Sequence, residues 1–198
     1  MRAEAVSPLN MEVTDSELMQ CLAGGDDLAL NALMQRWRER LASFLYKMTG
    51  NVESAADLTQ ETFVKLYQVR NRYRPDGKFS SFLFAIGVNL ARNHARWKSR
   101  HPTISLAEAR DDGSCILELR DTGLTPEDAA ASAEKIKAVH GAFLVLPADL
   151  REAMTLFIYE DMSYAEISSV VGCSVKAAET RIYRARQILK EKLKDIRA

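Results

Sequence analysis

The stretch SYAEISSVVGCSVKAAETRIYRARQILKEKL, residues 163–193, holds a short apolar segment, the break Gly172-Cys173-Ser174, and a longer basic segment. Ser163 followed by Glu166 fits a capping box and predicts a helix start. Gly172 predicts that helix's end, because a left-handed residue closing a helix is most often glycine. After the turn, Val175 opens a second helix, which makes the whole a helix-turn-helix. At 100° per residue, Val175, Ala178, Ile182, Ala185, Leu189 and Leu193 fall in an arc of about 80° and predict the buried stripe. Opposite lie Lys176, Ala177, Thr180, Arg181, Arg184 and Gln187. These ammonium, hydroxyl, guanidinium and amide groups are the ones that hold phosphates and read base edges, and the small Ala177 permits close approach to a groove floor. The capped short helix and the turn before it weigh against a merely solvated basic face.

Working outward, the same periodicity predicts helices over 126–145, 148–159, 164–171 and 175–195, broken at Pro147 and at Glu160-Asp161. Thr125 is the expected N-cap of the first, with Pro126 at the first helical position and Asp128 adding negative charge to the first turn. Upstream, residues 101–124 contain Pro102, Gly113 and Gly123 with weak periodicity, and read as an acidic, flexible linker. Before it, helices are expected over about Asp15–Leu22, ending at Gly24-Gly25, and through LALNALMQRWRERLASFLYKM to Gly50. Two more are expected over about Glu53–Arg72 and from Ser80, as a cap, to Arg100. RYRPDGK, with Pro75 and Gly77, is the turn between the last two. No segment alternates apolar and polar residues as an exposed strand does. The expected fold is all-α: two small helical domains, 1–100 and 125–198, joined by the linker 101–124.

The 198 residues carry 27 basic and 27 acidic side chains, so the formal net charge is zero. The distribution is more informative. Residues 51–100 hold nine Lys/Arg and four Asp/Glu, residues 101–130 hold two and seven, and residues 174–198 hold eight and three. Two basic blocks therefore flank an acidic connector, a pattern that points to nucleic acid. No run approaches the ~20 apolar residues of a membrane span, and Met1–Met11 has neither the basic start nor the apolar run of a secretory signal. A cytoplasmic protein without membrane insertion is expected. Cys21, Cys115 and Cys173 form no CxxC pair and stand apart from His94, His101 and His140. They read as reduced and mostly buried thiols, with no metal and no cofactor expected. Neither a nucleophile–base pair nor a phosphate-cradling glycine loop is evident, which argues against an enzyme.

Two further faces carry chemistry. FSSFLFAIGV, residues 79–88, is apolar nearly all round and must be buried, with Phe82 and Phe84 expected in the core. The same helix then emerges: Asn89, Arg92, Asn93, Arg96 and Arg100 share an arc of about 100°, with Trp97 beside them. Cations that track phosphates next to a ring that stacks on bases suit single-stranded DNA. In the preceding helix Ala55, Leu58, Phe63, Leu66 and Val69 form an apolar arc, while Asp57, Gln60, Glu61, Val64 and Gln68 share the other side. Composition leaves two readings of that side open, a solvated face or a protein-contact surface marked by Val64.

These segments carry a family resemblance. ADLTQETFVKLYQVRNRYRPDGKFSSFLFAIGVNLARNHARWKSR, residues 56–100, resembles domain 2 of sigma-70-type factors, and LPADLREAMTLFIYEDMSYAEISSVVGCSVKAAETRIYRARQIL, residues 146–189, resembles their domain 4. With no room for domains 1 and 3, the chain resembles the compact extracytoplasmic-function (ECF) group. The resemblance implies a promoter-specific initiation factor that binds core RNA polymerase at its clamp and flap regions, engages promoter DNA and is controlled by an anti-sigma factor. It implies that Asp57, Gln60, Glu61, Val64 and Gln68 dock on the polymerase clamp. It assigns Asn89, Arg92, Asn93, Arg96, Trp97 and Arg100 to the −10 element. It places Lys176, Ala177, Thr180, Arg181, Arg184 and Gln187 at the −35 element. The acidic linker matches the connector that threads the polymerase cleft, where Asp111, Asp112, Glu118 and Asp121 would mimic nucleic acid. Two positions depart from the pattern. Glu179 stands where a basic residue is common and is expected to pair with Arg186. Phe82 replaces a tryptophan, a change within core packing. The alternatives are a stand-alone helix-turn-helix regulator, which would not need the Asp57–Gln68 face, and a sequestering adaptor, which would not need the basic helix.

Overall fold

A computed structural model describes residues 13–101 and 126–194, the side chains of 126–134 excepted. Within these residues the chain is all-helical. The first four helices are α1 (Asp15–Ala23), α2 (Leu28–Thr49), α3 (Val52–Gln68) and α4 (Phe79–Arg100). The second four are α5 (Pro126–Val145), α6 (Ala148–Tyr159), α7 (Tyr164–Val171) and α8 (Val175–Lys192). The linker expectation over 101–124, the Thr125 cap and Cys115 lie outside the described residues, apart from His101.

Local chemistry sets most helix ends. Thr14 and Glu17 form a capping box that opens α1: the Thr14 N–H donates to Glu17 Oε2 at 2.7 Å, and the Glu17 N–H to Thr14 Oγ1 at 3.2 Å. Asp15 then joins α1 to α2, accepting from Arg36 at 2.9 Å and from the Trp37 indole N–H at 3.0 Å. α2 stops at Gly50, whose φ of 70° is left-handed. Asn51 caps α3 by accepting from the Ser54 N–H at 2.7 Å.

α8 ends at Lys192, short of the expected 195, with Leu193 as its C-cap, and two boundaries in the N-terminal half also differ from expectation. α3 ends at Gln68, and Arg70–Arg72 continues as a separate 3₁₀ turn. The Val69 N–H is shared between the Lys65 and Tyr67 carbonyls, and Arg70 donates to the Tyr67 carbonyl at 2.8 Å, so the last carbonyls are used in tightening the chain toward the Tyr73–Lys78 turn. α4 is not capped by Ser80. It starts at Phe79, with Lys78 at the cap and no side-chain cap bond. Aromatic packing sets that start: Phe79 is buried, and its ring lies 5.5 Å from Trp37 and 6.3 Å from Tyr73 in edge contacts.

Leu33, Leu41, Phe44, Leu45, Leu66, Leu83 and Phe84 fill the centre of α1–α4, and Leu146, Leu156, Ile167, Ala178, Ile182 and Ala185 fill that of α5–α8. Phe84 is fully buried as expected, whereas Phe82 is only partly covered, against Tyr73 at 5.4 Å. The two halves pack on each other, α4 against α7 and α2 against α5 and α6. Gly50 lies at this seam, where any Cβ would come within about 3.0 Å of Leu144. The thiols depart from expectation: Cys21 is exposed and Cys173 half-buried, and neither is in a disulfide. Cys21 sits on the outer side of the short α1, away from the buried Leu18, Met19 and Leu22. Among the described residues no helix is long and apolar enough to cross a membrane.

Candidate nucleic-acid and polymerase interfaces

The helix-turn-helix forms as its sequence requires. Ser163 and Glu166 make the capping box, with the Ser163 N–H donating to Glu166 Oε2 at 2.8 Å. Gly172 closes α7 at φ 71°. Ser174 caps α8 by accepting from the Ala177 N–H at 3.2 Å. Ala178, Ile182, Ala185 and Leu189 anchor α8 in the core. Val175 does not join them: it is 49% exposed, because at the first position of α8 it stands ahead of the packed turns.

On the outer side of α8, Lys176, Arg184 and Gln187 are exposed, while Ala177 and Thr180 are partly covered. Thr180 Oγ1 donates back to the Lys176 carbonyl at 2.8 Å. Arg181 stands apart from this set. Its side chain is only 26% exposed, and its Nε lies 3.5 Å from Asp149 Oδ2 at the start of α6. Glu179 pairs with Lys176 at 3.0 Å, not with Arg186, whose guanidinium instead sits 4.7 Å from the Phe157 ring centre. Tyr183 is a residue that the wheel reading passed over. It is 63% exposed, and at 100° per residue it falls within about 60° of Lys176, Thr180 and Gln187. Its signal was a large aromatic outside the buried stripe.

On α4, Asn89, Asn93, Arg96, Trp97 and Arg100 are exposed. Arg96 donates to Asn93 Oδ1 at 2.7 Å, and Trp97, 58% exposed, stacks on His101 at 5.0 Å. Arg92, the sixth residue of this face, is engaged with the other half of the molecule. Its Nε and Nη2 donate to Glu152 Oε1 and Oε2 at 2.9 and 2.6 Å, and Nη2 also reaches the Val171 carbonyl at 3.1 Å. The bond to Glu152 raises the Arg92 pKa, and partial burial opposes it.

On α3, Asp57, Gln60, Glu61, Val64 and Gln68 are all exposed, Val64 at 56%. Two clefts flank them. One runs between α3 and α4, lined by Asp57, Glu61, Asn93, His94 and Trp97, and so joins the acidic face to the basic one. The other is an apolar groove between α2 and α3, lined by Leu28, Met34, Arg38, Phe63, Val64 and Tyr67. The α2 side of that groove was missed from sequence, although Leu28, 74% exposed, stands at its rim. No cluster of His, Cys, Asp and Glu able to hold a metal occurs among the described residues.

Residues 33–101 match the family model for Sigma-70 region 2, and residues 136–189 that for Sigma-70, region 4. The ECF RNA polymerase sigma-E factor of Haemophilus influenzae is 31% identical over 187 residues, 93% of this chain and 98% of that protein. Among solved structures, CnrH in complex with the cytosolic domain of CnrY is 26% identical, with a TM-score of 0.65 over 90% of this chain and 96% of that one. The sigma factor RpoE of Bartonella quintana, in complex with the anti-sigma factor NepR, shares the fold at 22% identity, with a TM-score of 0.63 over 83% of this chain and 96% of its own. Both region models occur in order on one chain, and a curated relative matches nearly end to end: the chain belongs to the sigma-70 family of RNA polymerase sigma factors, in its ECF group.

Proposed function

We propose that three faces of this ECF sigma factor divide the work of promoter-specific initiation. The α3 face of Asp57, Gln60, Glu61, Val64 and Gln68 docks on the clamp of core RNA polymerase, with the α2–α3 groove taking apolar side chains of that partner. The exposed end of α4, Asn89, Asn93, Arg96, Trp97 and Arg100 with Arg92, takes the melted −10 strand: cations follow phosphates and Trp97 stacks on a base. Capture of an unstacked base costs least where pairing is already weak. On α8, Lys176, Ala177, Thr180, Arg184 and Gln187 enter the major groove at the −35 element, with Tyr183 beside them. Arg181 holds a neighbouring phosphate or orients the helix against Asp149. The observation that carries this reading is the pair of basic faces, one on each matched region, set beside an acidic-amide face with an exposed valine.

The same reading assigns domain 2 to residues 1–100, the connector to 101–124 and domain 4 to 125–198. Each domain's DNA site is weak alone, and core polymerase raises the effective concentration of one for the other. The protein acts by binding, without catalysis, and works in the cytoplasm where its template lies. Control by an anti-sigma partner belongs to the reading too, supported by the complex in which RpoE, of the same fold, is found.

Run-off transcription from a genomic fragment library, with bacterial core polymerase plus and minus the protein, tests it. New discrete transcripts sharing upstream motifs are expected. Core binding without transcripts would favour a sequestering adaptor, and neither would favour a stand-alone DNA-binding regulator.

A further inference from the structure

The cations of α8 are held in different ways. Lys176 has Glu179 at 3.0 Å and Arg181 has Asp149 at 3.5 Å, so a carboxylate answers each of these charges. Arg186 rests instead on a ring: its guanidinium carbon lies 4.7 Å from the ring centre of Phe157 in α6. Phe157 is itself stacked on Tyr164, the first residue of α7, with ring centres 5.7 Å apart and planes 22° apart. A row of guanidinium, ring and ring thus crosses α8, α6 and α7. Arg186 is exposed while Phe157 and Tyr164 are half-buried, so the row is anchored among the three helices and its charged end meets solvent. The kind of contact matters. A carboxylate neutralises a guanidinium and accepts its N–H bonds, whereas a ring face attracts the cation and leaves its charge in place. At 100° per residue Arg186 lies about 80° from Lys176 and about 60° from Tyr183, at the edge of the outward face of α8 and not at its centre.

We propose that Phe157 is a positioning residue for −35 binding, holding the Arg186 guanidinium at the flank of α8, where it takes a backbone phosphate on one wall of the major groove. The proposal rests on the reading of α8 as the −35 face. A helix lying in a groove ~12 Å wide turns its flanks toward the phosphate walls, and phosphate contacts fix register without carrying sequence. An arginine free in solvent loses much rotamer freedom when it is fixed. The ring contact removes part of that freedom beforehand, so less is lost when the phosphate binds. Tyr164 serves the same end one step back, by stacking on the ring that holds the cation. A phosphate approaching Arg186 has no carboxylate to displace at this contact, unlike one approaching Arg181 beside Asp149. The pairing of Glu179 with Lys176 belongs to the same arrangement, since it keeps that carboxylate on another cation.

The test assembles the full-length protein with bacterial core polymerase and titrates it against a fluorescent duplex promoter recovered by run-off transcription, at low temperature and between about 50 and 200 mM KCl. R186A is expected to weaken binding about fivefold and to lower the slope of log affinity against log salt by about one. Its preference for the intact over a scrambled −35 element is expected to match that of the wild type, because a phosphate carries no sequence. F157L, which keeps an apolar side chain but loses the ring, is expected to weaken binding about threefold. R186A/F157L should bind no more weakly than R186A, and F157Y, which restores the ring, should bind as the wild type does. An unchanged slope in R186A, a loss of sequence preference there, or additive losses in R186A/F157L would overturn the proposal. Should F157L fail to fold by circular dichroism, F157M takes its place. K176A/R184A separates the two layers: if it loses the preference for the intact element while R186A behaves as wild type, the α8 reading stands and the proposal falls; if it keeps that preference, the α8 reading falls and the proposal with it.

Discussion

The two basic faces of this molecule are built on helices of similar character and are presented differently. On α8 the outward residues Lys176, Arg184 and Gln187 stand exposed, held out by a core stripe on the other side. On α4 the corresponding set is divided: Arg96, Trp97 and Arg100 are exposed, and Arg92 is locked to Glu152. The difference comes from depth. α8 is the last described helix and covers its own domain with one face only. α4 runs through the centre of the N-terminal half and is flanked by α2, α3 and α7. A residue on α8 thus meets solvent by default, whereas a residue on α4 meets solvent only where no neighbour reaches it.

This comparison can be broken at its hinge first. Arg151 donates to the Met48 carbonyl across the seam and to the Leu144 and Leu146 carbonyls of its own half, and it is half-buried, which pulls its pKa below the usual arginine value. Arg151→Ala leaves carbonyls of α2 and α5 without this donor, and a loss of about 3 kcal/mol in folding stability is expected, read by thermal or urea unfolding. On α8, Arg184→Ala is expected to weaken binding to −35 DNA by roughly 1–3 kcal/mol if the side chain reads a base. Arg181→Ala should cost less there, because its guanidinium is already turned to Asp149; equal losses in a titration of duplex promoter DNA would mean that Arg181 leaves Asp149 on binding. On α3, Val64→Asp is expected to weaken core polymerase binding by about tenfold, roughly 1.4 kcal/mol, with little change in folding stability since Val64 is exposed.

The smallest effect is electrostatic. The bond from Lys78, then those from the Ser163 hydroxyl and N–H, lower the Glu166 carboxyl to about 2. A carboxylate whose folded pKa is depressed contributes stability above its unfolded value, about 4.3, and loses that contribution as pH falls toward the folded value. The gap in melting temperature between wild type and Glu166→Gln should therefore be widest near neutral pH and close between about pH 4.3 and pH 2. Glu160 runs the other way: burial raises its pKa, although Arg40 partly opposes this.

Much of this architecture was legible in the sequence because it is set locally. The Ser163–Glu166 box, the left-handed glycines 50 and 172 and the apolar stripe of α8 each depend on residues within a turn or two. Asp57, Gln60, Glu61, Val64 and Gln68 were readable as one side of α3 for the same reason. What escaped depends on partners far along the chain. Phe79 opens α4 early because Trp37 packs on it, so the local serine at 80 misled. Arg181 is drawn to Asp149 and Arg92 to Glu152, the latter sixty residues away, and no periodicity reveals such pairs. Tyr183 was missed for a different reason, since a search for cations and amides passes over an exposed ring. The α2 side of the apolar groove was missed because Leu28 looks like core until α2 and α3 are set side by side.

The division of labour between α8 and α4 is tested most directly by footprinting holoenzyme on a promoter recovered by run-off transcription, with K176A/R184A and R96A/W97A compared with wild type. Hydroxyl-radical protection reads the −35 element, and permanganate reactivity of unpaired thymines reads melting at −10. The account predicts that K176A/R184A loses −35 protection first, and that R96A/W97A keeps −35 protection while thymine reactivity at −10 falls. The reverse pattern, or the same loss in both variants, would contradict the assignment of the two faces.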